Sequence, residues 1–175
     1  MPAPAGPVAA VIAYEGAGRE LMARLKYRNG RSALPALAAG MARVVDPWSS
    51  DVVTWAPTTA GRRRRRGYDQ AELLARALAR QLRLPVAATL LRVDGAPQTG
   101  RSRNERVAAA QSAMFVALRR VSGRVLVVDD VVTTGATLDA AARALRAAGA
   151  AEIRLVAAAA TPRLDGRGSA LLEAR

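Results

Sequence analysis

The 175-residue sequence contains no cysteine and no histidine. Their absence excludes disulfides, thiol nucleophiles, Ser-His-Asp triads and zinc sites built from Cys or His. Aromatic residues make up only 3% of the chain. Core energy must therefore rest on Leu, Val and Ile among many alanines, and stacking platforms for bases are scarce. No apolar run reaches the ~18 residues of a membrane span, and no basic segment precedes an apolar stretch at the start. A cytoplasmic chain without a membrane span is the expectation. Acids are also few: 14 Asp plus Glu face 27 Lys plus Arg, a formal charge of +13 carried mainly by arginine. Such a field attracts polyanions, whether nucleic acid or a small substrate bearing several phosphates.

What is present is concentrated in residues 125 to 138, VLVVDDVVTTGATL. Val125 to Val128 form an apolar, mostly β-branched run without polar alternation, the pattern of a parallel strand buried on both faces. The strand is expected to end at Asp129. From Gly135 to Ala148, Leu138, Ala141, Ala142, Leu145 and Ala148 recur at helical spacing, and Gly149 offers a stop. Asp129, Asp130, Thr133, Thr134, Gly135, Ala136 and Thr137 thus fall in a strand-to-helix loop. The unpaired N–H groups and dipole of a helix start favour an anion there. Gly135 lets backbone approach a phosphate, and the threonine hydroxyls add short donors. Two adjacent carboxylates cannot bind that phosphate, but they can hold vicinal sugar hydroxyls or water around a ligand-bound magnesium ion. A sugar phosphate satisfies both halves. The structural alternative is a capped helix beside decorating acids; a P-loop lacks its Gly-x4-Gly-Lys-Ser/Thr pattern.

Strands and helices alternate along the chain: a strand near Val8 to Tyr14, helical segments between Gly18 and Val45, and a strand from Asp51 to Ala56. A helix from about Asp69 to Arg83, the segments Pro85 to Val93 and Met114 to Leu118, and a strand from Glu152 to Ala160 complete the series. This predicts one α/β domain over 1–175, with a core over about 8–160 and a peripheral tail over 161–175. Its sheet should be mostly parallel, flanked by helices, and open to ligands along one strand edge.

Five consecutive arginines, Arg62 to Arg66, follow the predicted Asp51 to Ala56 strand. If that strand runs parallel to Val125 to Val128, its loop opens on the same edge, where guanidinium groups can meet a pyrophosphate. Asp69-Gln-Ala-Glu72 has the form of a capping box, placing the arginines just before a helix.

The segment from Val125 to Thr137 resembles the phosphoribosyl pyrophosphate (PRPP) motif of type I phosphoribosyltransferases. GRRRRRGYDQAELLARALA at 61 to 79 is similar to a segment of the competence protein F (ComF) family, with Tyr68 for its usual Phe and Asp69 for its usual Asn. YEGAGRELMARLKYRNG at 14 to 30 and QTGRSRNER at 98 to 106 extend the resemblance to about residues 10 to 160. It implies the type I phosphoribosyltransferase fold with a small hood. Asp129 and Asp130 would contact the ribose hydroxyls, and PRPP-bound Mg2+ through them, while Thr133 to Thr137 would surround the 5-phosphate. Pro57, Thr58, Thr59, Arg62 and Arg66 would approach the pyrophosphate, with Lys26 matched to a family lysine. Gln98, Arg101 and Arg106 would belong to the hood.

The expected activity is transfer of the phosphoribosyl group from Mg-PRPP to an unknown acceptor, with release of pyrophosphate. The alternative is a non-catalytic PRPP-binding accessory protein in DNA uptake, competence or DNA utilisation. Implied partners are PRPP or a related phosphorylated sugar, single-stranded DNA or a DNA-processing protein, and a second copy of the chain. Many family members carry a four-cysteine zinc ribbon; without cysteine, no zinc is expected here. Thr133 stands where oxopurine salvage enzymes commonly have an Asp that assists proton transfer. Hypoxanthine and guanine are therefore poor acceptor candidates.

Overall fold

A computed structural model describes residues 7–25, 28–45, 50–93, 114–164 and 170–171. Its centre is a parallel sheet of four strands in the order β1-β6-β5-β2: β1 (Val8–Ala13), β6 (Glu152–Ala160), β5 (Arg124–Val132) and β2 (Val52–Trp55). Side-chain alternation in the two inner strands divides the core. Val125 and Val127 of β5, with Leu155 and Ala157 of β6, face α5 (Ala136–Ala147) and its Leu138, Ala141 and Leu145. Leu126, Val128, Val156 and Ala158 face the opposite layer. That layer contains α1 (Gly16–Arg24), α2 (Leu34–Val45) and α4 (Gln70–Leu82), which contribute Met22, Met41, Leu74 and Leu78. Strands covered on both sides have no polar face to present, hence the unbroken apolar run.

The sequence reading holds for this arrangement and differs in two details. β5 continues past Asp129 to Val132, because β6 keeps it paired as far as Val132–Ala160. The arginine run is helical: α3 (Ala60–Arg66) is capped by the Thr59 hydroxyl, which accepts from Arg62 N–H at 3.2 Å, and ends at Gly67. Part of the tail is paired as β7 (Arg163–Leu164) with β8 (Ala170–Leu171). The antiparallel ribbon of β3 (Leu90–Val93) and β4 (Met114–Ala117) packs Phe115 against the α5 layer. Lys26, Gln98, Arg101 and Arg106 lie outside the described residues.

Candidate functional site

The site begins where β2 stops. β2 pairs with β5 as far as Trp55–Val128, Ala56 N–H donates to Val128 O at 3.0 Å, and Pro57, with no N–H, cannot extend the ladder. β5 remains paired on its β6 side, so Asp129 and Asp130 sit on a held strand with the other flank uncovered. Asp129 is buried and its Oδ1 accepts from Asp130 N–H at 2.8 Å; Asp130 is half-buried and its Oδ1 accepts from Val131 N–H at 2.8 Å. Burial pushes the Asp129 carboxyl well above the usual carboxylate range, and the Asp130 charge beside it adds to the shift.

Beyond β5, Gly135 takes a left-handed conformation, φ 84°, as the N-cap of α5. A side chain at that angle would cost about 1–2 kcal/mol, so glycine permits the tight entry into the helix. The Thr134 hydroxyl accepts from Ala136 N–H at 3.4 Å. Thr133 and Thr137 face the cavity described below. The first-turn N–H groups of α5 lack intrahelical acceptors by construction, which leaves a phosphate-sized anion a natural partner.

α3 and α4 close the far wall. Helical spacing sends Arg62 and Arg66, four apart, to the same cavity. Arg63 instead reaches Glu72 at 3.7 Å, and Arg64 and Arg65 are exposed. Asp69 ties two elements together: Oδ2 accepts from Thr58 N–H at 2.7 Å and Oδ1 from Ala71 N–H at 3.1 Å. The cap bond goes to Ala71 N–H, and the Glu72 N–H adds to the pull on the carboxylate. Burial raises the Asp69 carboxyl above its ordinary value, against the lowering effect of those backbone donors. An Asn in its place could accept with only one of its two side-chain atoms.

Pro57, Thr58, Arg62, Arg66, Asp129, Asp130, Thr133 and Thr137 line a single cavity of about 440 Å3. Thr59 serves as the α3 cap, and Thr134, Gly135 and Ala136 shape the turn without lining the cavity. Sequence reasoning missed Tyr14, Gln70 and Arg92 as lining residues and took Asp69 only as a cap. Arg92 carried no signal, since a lone cation on a short strand reads as surface; here it sits over the Phe115 ring at 5.8 Å. Asp69 did carry one, as a departure from the Asn usual in the resembling segment.

Three cations (Arg62, Arg66, Arg92) and three carboxylates (Asp69, Asp129, Asp130) therefore share a space of small-ligand size. That mixture suits a ligand that is anionic at its ends and hydroxylated between them. No cluster of three or more carboxylates that could hold a metal by itself occurs among the described residues. Paired oxygen donors at Asp129 and Asp130 fit a magnesium ion that takes its remaining ligands from water and substrate phosphates.

A doubly flanked parallel sheet with a short threonine-glycine turn from β5 into α5 is the type I phosphoribosyltransferase architecture. The phosphoribosyl transferase domain family matches residues 69–170, more than half of the chain, and the chain belongs to that family. Its ComF character is supported by two curated relatives. Competence protein F of Haemophilus influenzae is 38% identical over 52% of this chain and 42% of its own length. Competence protein ComFC of Bacillus subtilis is 29% identical over 77% of this chain and 56% of its own. The chain thus spans about half the length of these relatives.

Among solved structures, glutamine PRPP amidotransferase from B. subtilis, complexed with ADP and GMP, is 26% identical with a TM-score of 0.51. The match covers 73% of this chain and 26% of that one. The allosteric regulatory enzyme of purine biosynthesis shares the fold at 24% identity and a TM-score of 0.50, with the same coverage. No helix among the described residues is long and apolar enough to cross a membrane.

Proposed function

We propose that the protein binds Mg-PRPP in this cavity and transfers its phosphoribosyl group to an acceptor with release of pyrophosphate. The convergence of Asp129 and Asp130, Thr133 and Thr137, and Arg62 and Arg66 on one space carries the reading. The acids hold the ribose hydroxyls, the threonine loop holds the 5-phosphate, and the α3 guanidiniums meet the pyrophosphate. Asp129 and Asp130 would help hold magnesium on the ligand, where the ion supplies charge neutralisation to the leaving group. As pyrophosphate departs, positive charge developing on the sugar faces the carboxylates, while negative charge faces the arginines. Positioning and electrostatics thus supply the catalysis without His or Cys.

Calorimetric titration with PRPP, with and without magnesium, tests the reading. Saturable magnesium-dependent binding, lost in a folded Asp129→Asn/Asp130→Asn variant, supports it; no binding by folded wild type overturns it. Efficient nucleotide formation from hypoxanthine or guanine would overturn the acceptor argument drawn from Thr133.

The names of the two relatives favour a second reading, a PRPP-binding accessory protein in competence that handles single-stranded DNA. With few aromatics, its DNA contacts would be mainly to phosphates. If about five phosphates are engaged, log affinity should fall against log salt with a slope near −3.5. A flat salt response would sink it.

A further inference from the structure

Gln70 stands at the start of α4, is 5% exposed and lines the cavity. Its Oε1 accepts from Arg66 Nη1 at 3.0 Å. A guanidinium only donates, so this bond fixes the carboxamide's orientation and assigns its NH2 to the other side. That nitrogen is buried and has no partner. Buried amide donors are seldom left unmatched, because the loss costs about 1–3 kcal/mol of stability.

The protein offers it little elsewhere. A second crevice of about 10 Å3 touches Gln70 and is walled by Leu25, Leu34, Leu73, Leu74 and Arg31, none of whose side chains accepts a hydrogen bond. On the cavity side, by contrast, Arg62 and Arg66 concentrate positive charge where an oxygen-rich anion would enter.

We propose that Gln70 is a ligand-binding residue of the cavity: its oxygen steadies the Arg66 guanidinium, and its amide nitrogen, sealed from solvent in this state, shifts on ligand entry to donate to an oxygen of the pyrophosphate group that Arg62 and Arg66 attract. The assignment rests on the PRPP reading and deepens it. One carboxamide thereby joins recognition to orientation, since Arg66 cannot turn away without releasing Gln70. Satisfying the amide only when ligand is present also concentrates its benefit in the bound state.

The test uses the full chain, with pyrophosphate and PRPP as separate titrants in magnesium, and compares Gln70→Glu, Gln70→Met, Arg66→Met and the Arg66→Met/Gln70→Met double variant. Gln70→Glu keeps an acceptor for Arg66 but loses the donor, and should weaken pyrophosphate binding about tenfold or more. Gln70→Met should weaken it about tenfold, with a melting temperature equal to or above wild type because the unmatched amide is gone. In an Arg66→Met background, adding Gln70→Met should cost less than it does alone. Folded Gln70→Glu and Gln70→Met proteins that bind both titrants as wild type does would overturn the assignment. Failure of the wild type itself to bind PRPP would instead overturn the reading on which it rests.

Discussion

The two ends of β5 treat charge in opposite ways. At its start, Asp51 accepts from Arg124 N–H at 2.7 Å and from the Arg124 guanidinium at 2.8 Å, and that partner holds the carboxyl down at about 2. At its other end, Asp129 is buried beside Asp130, and burial with like charge drives its carboxyl upward. Gln70 nearby keeps an amide nitrogen unmatched. One end pairs its charges with each other; the other gives its carboxylates some backbone donors but no cationic partner of that kind, and turns them toward the cavity. The sheet explains the division, since a parallel strand's ligand edge is where neighbouring strands part and backbone donors from the next helix converge.

The largest expected effect breaks the ligand end. Asp129→Asn/Asp130→Asn should lower PRPP affinity by about 100-fold or more, as loss of charge-assisted bonds at two positions implies. The same variant should melt at or above the wild-type temperature, because a poorly matched buried charge is removed. Loss of affinity together with a sharp fall in melting temperature would mean that these acids serve the fold after all.

Next in size is Gly123→Ala at the opposite end. Gly123 has φ 76°, and a Cβ there would lie 2.6 Å from Asp51 Oδ2. Backbone strain plus displacement of the Asp51 carboxylate should cost about 2 kcal/mol, or roughly 4–8 °C in melting temperature for a chain of this length. PRPP binding should stay within about twofold of wild type when measured well below the transition. A large loss of affinity in the folded variant would show that the two ends are coupled rather than separate.

The buried hydroxyl pair of Thr54 and Thr89, 2.7 Å apart, sharpens the comparison from the edge strand β2. Thr54→Val should cost about 1–2 kcal/mol, because Thr89 is left buried without its partner. No effect on ligand binding is expected, although Thr54 is only one residue from the end of β2. Chemical denaturation and calorimetry on the same sample would separate the two effects.

How much of this was legible depended on whether one chain segment carried the information. Val125 to Val128 could be read because burial on both faces demands an apolar run, and the threonine loop because a glycine and three hydroxyls fall within five residues. The end of β5 was misplaced because acids usually mark an exposed strand end, whereas pairing to β6 carries Asp129 and Asp130 onward as strand. The arginines read as a loop because like charges oppose a helix. Thr59 at one end and the left-handed Gly67 at the other cap that helix nonetheless, and its dipole favours cations in the last turn. Gln70 was invisible for a different reason: its meaning lies in a bond to Arg66 and in a bond it does not make, neither of which is a property of spacing.

The smallest effect tests the fold-serving end alone. Asp51 falls from an ordinary 3.8 to about 2 in the folded chain, with the Arg124 side-chain bond as the leading cause. A carboxyl depressed on folding contributes stability above its unfolded value, and that contribution fades as pH falls toward the folded value, because the unfolded chain binds the proton first. Asp51→Asn should therefore be slightly less stable than wild type at pH 7, with the gap narrowing between about pH 4 and 2 and closing below. The pair is open to solvent, so the gap should also shrink in high salt. Urea denaturation across that range provides the measurement, with PRPP binding at pH 7 unchanged as the control. A gap that stays constant down to pH 2 would undo the contrast between the two ends of β5, for the Asp51 charge would then contribute nothing to the fold that a protonated carboxyl could not.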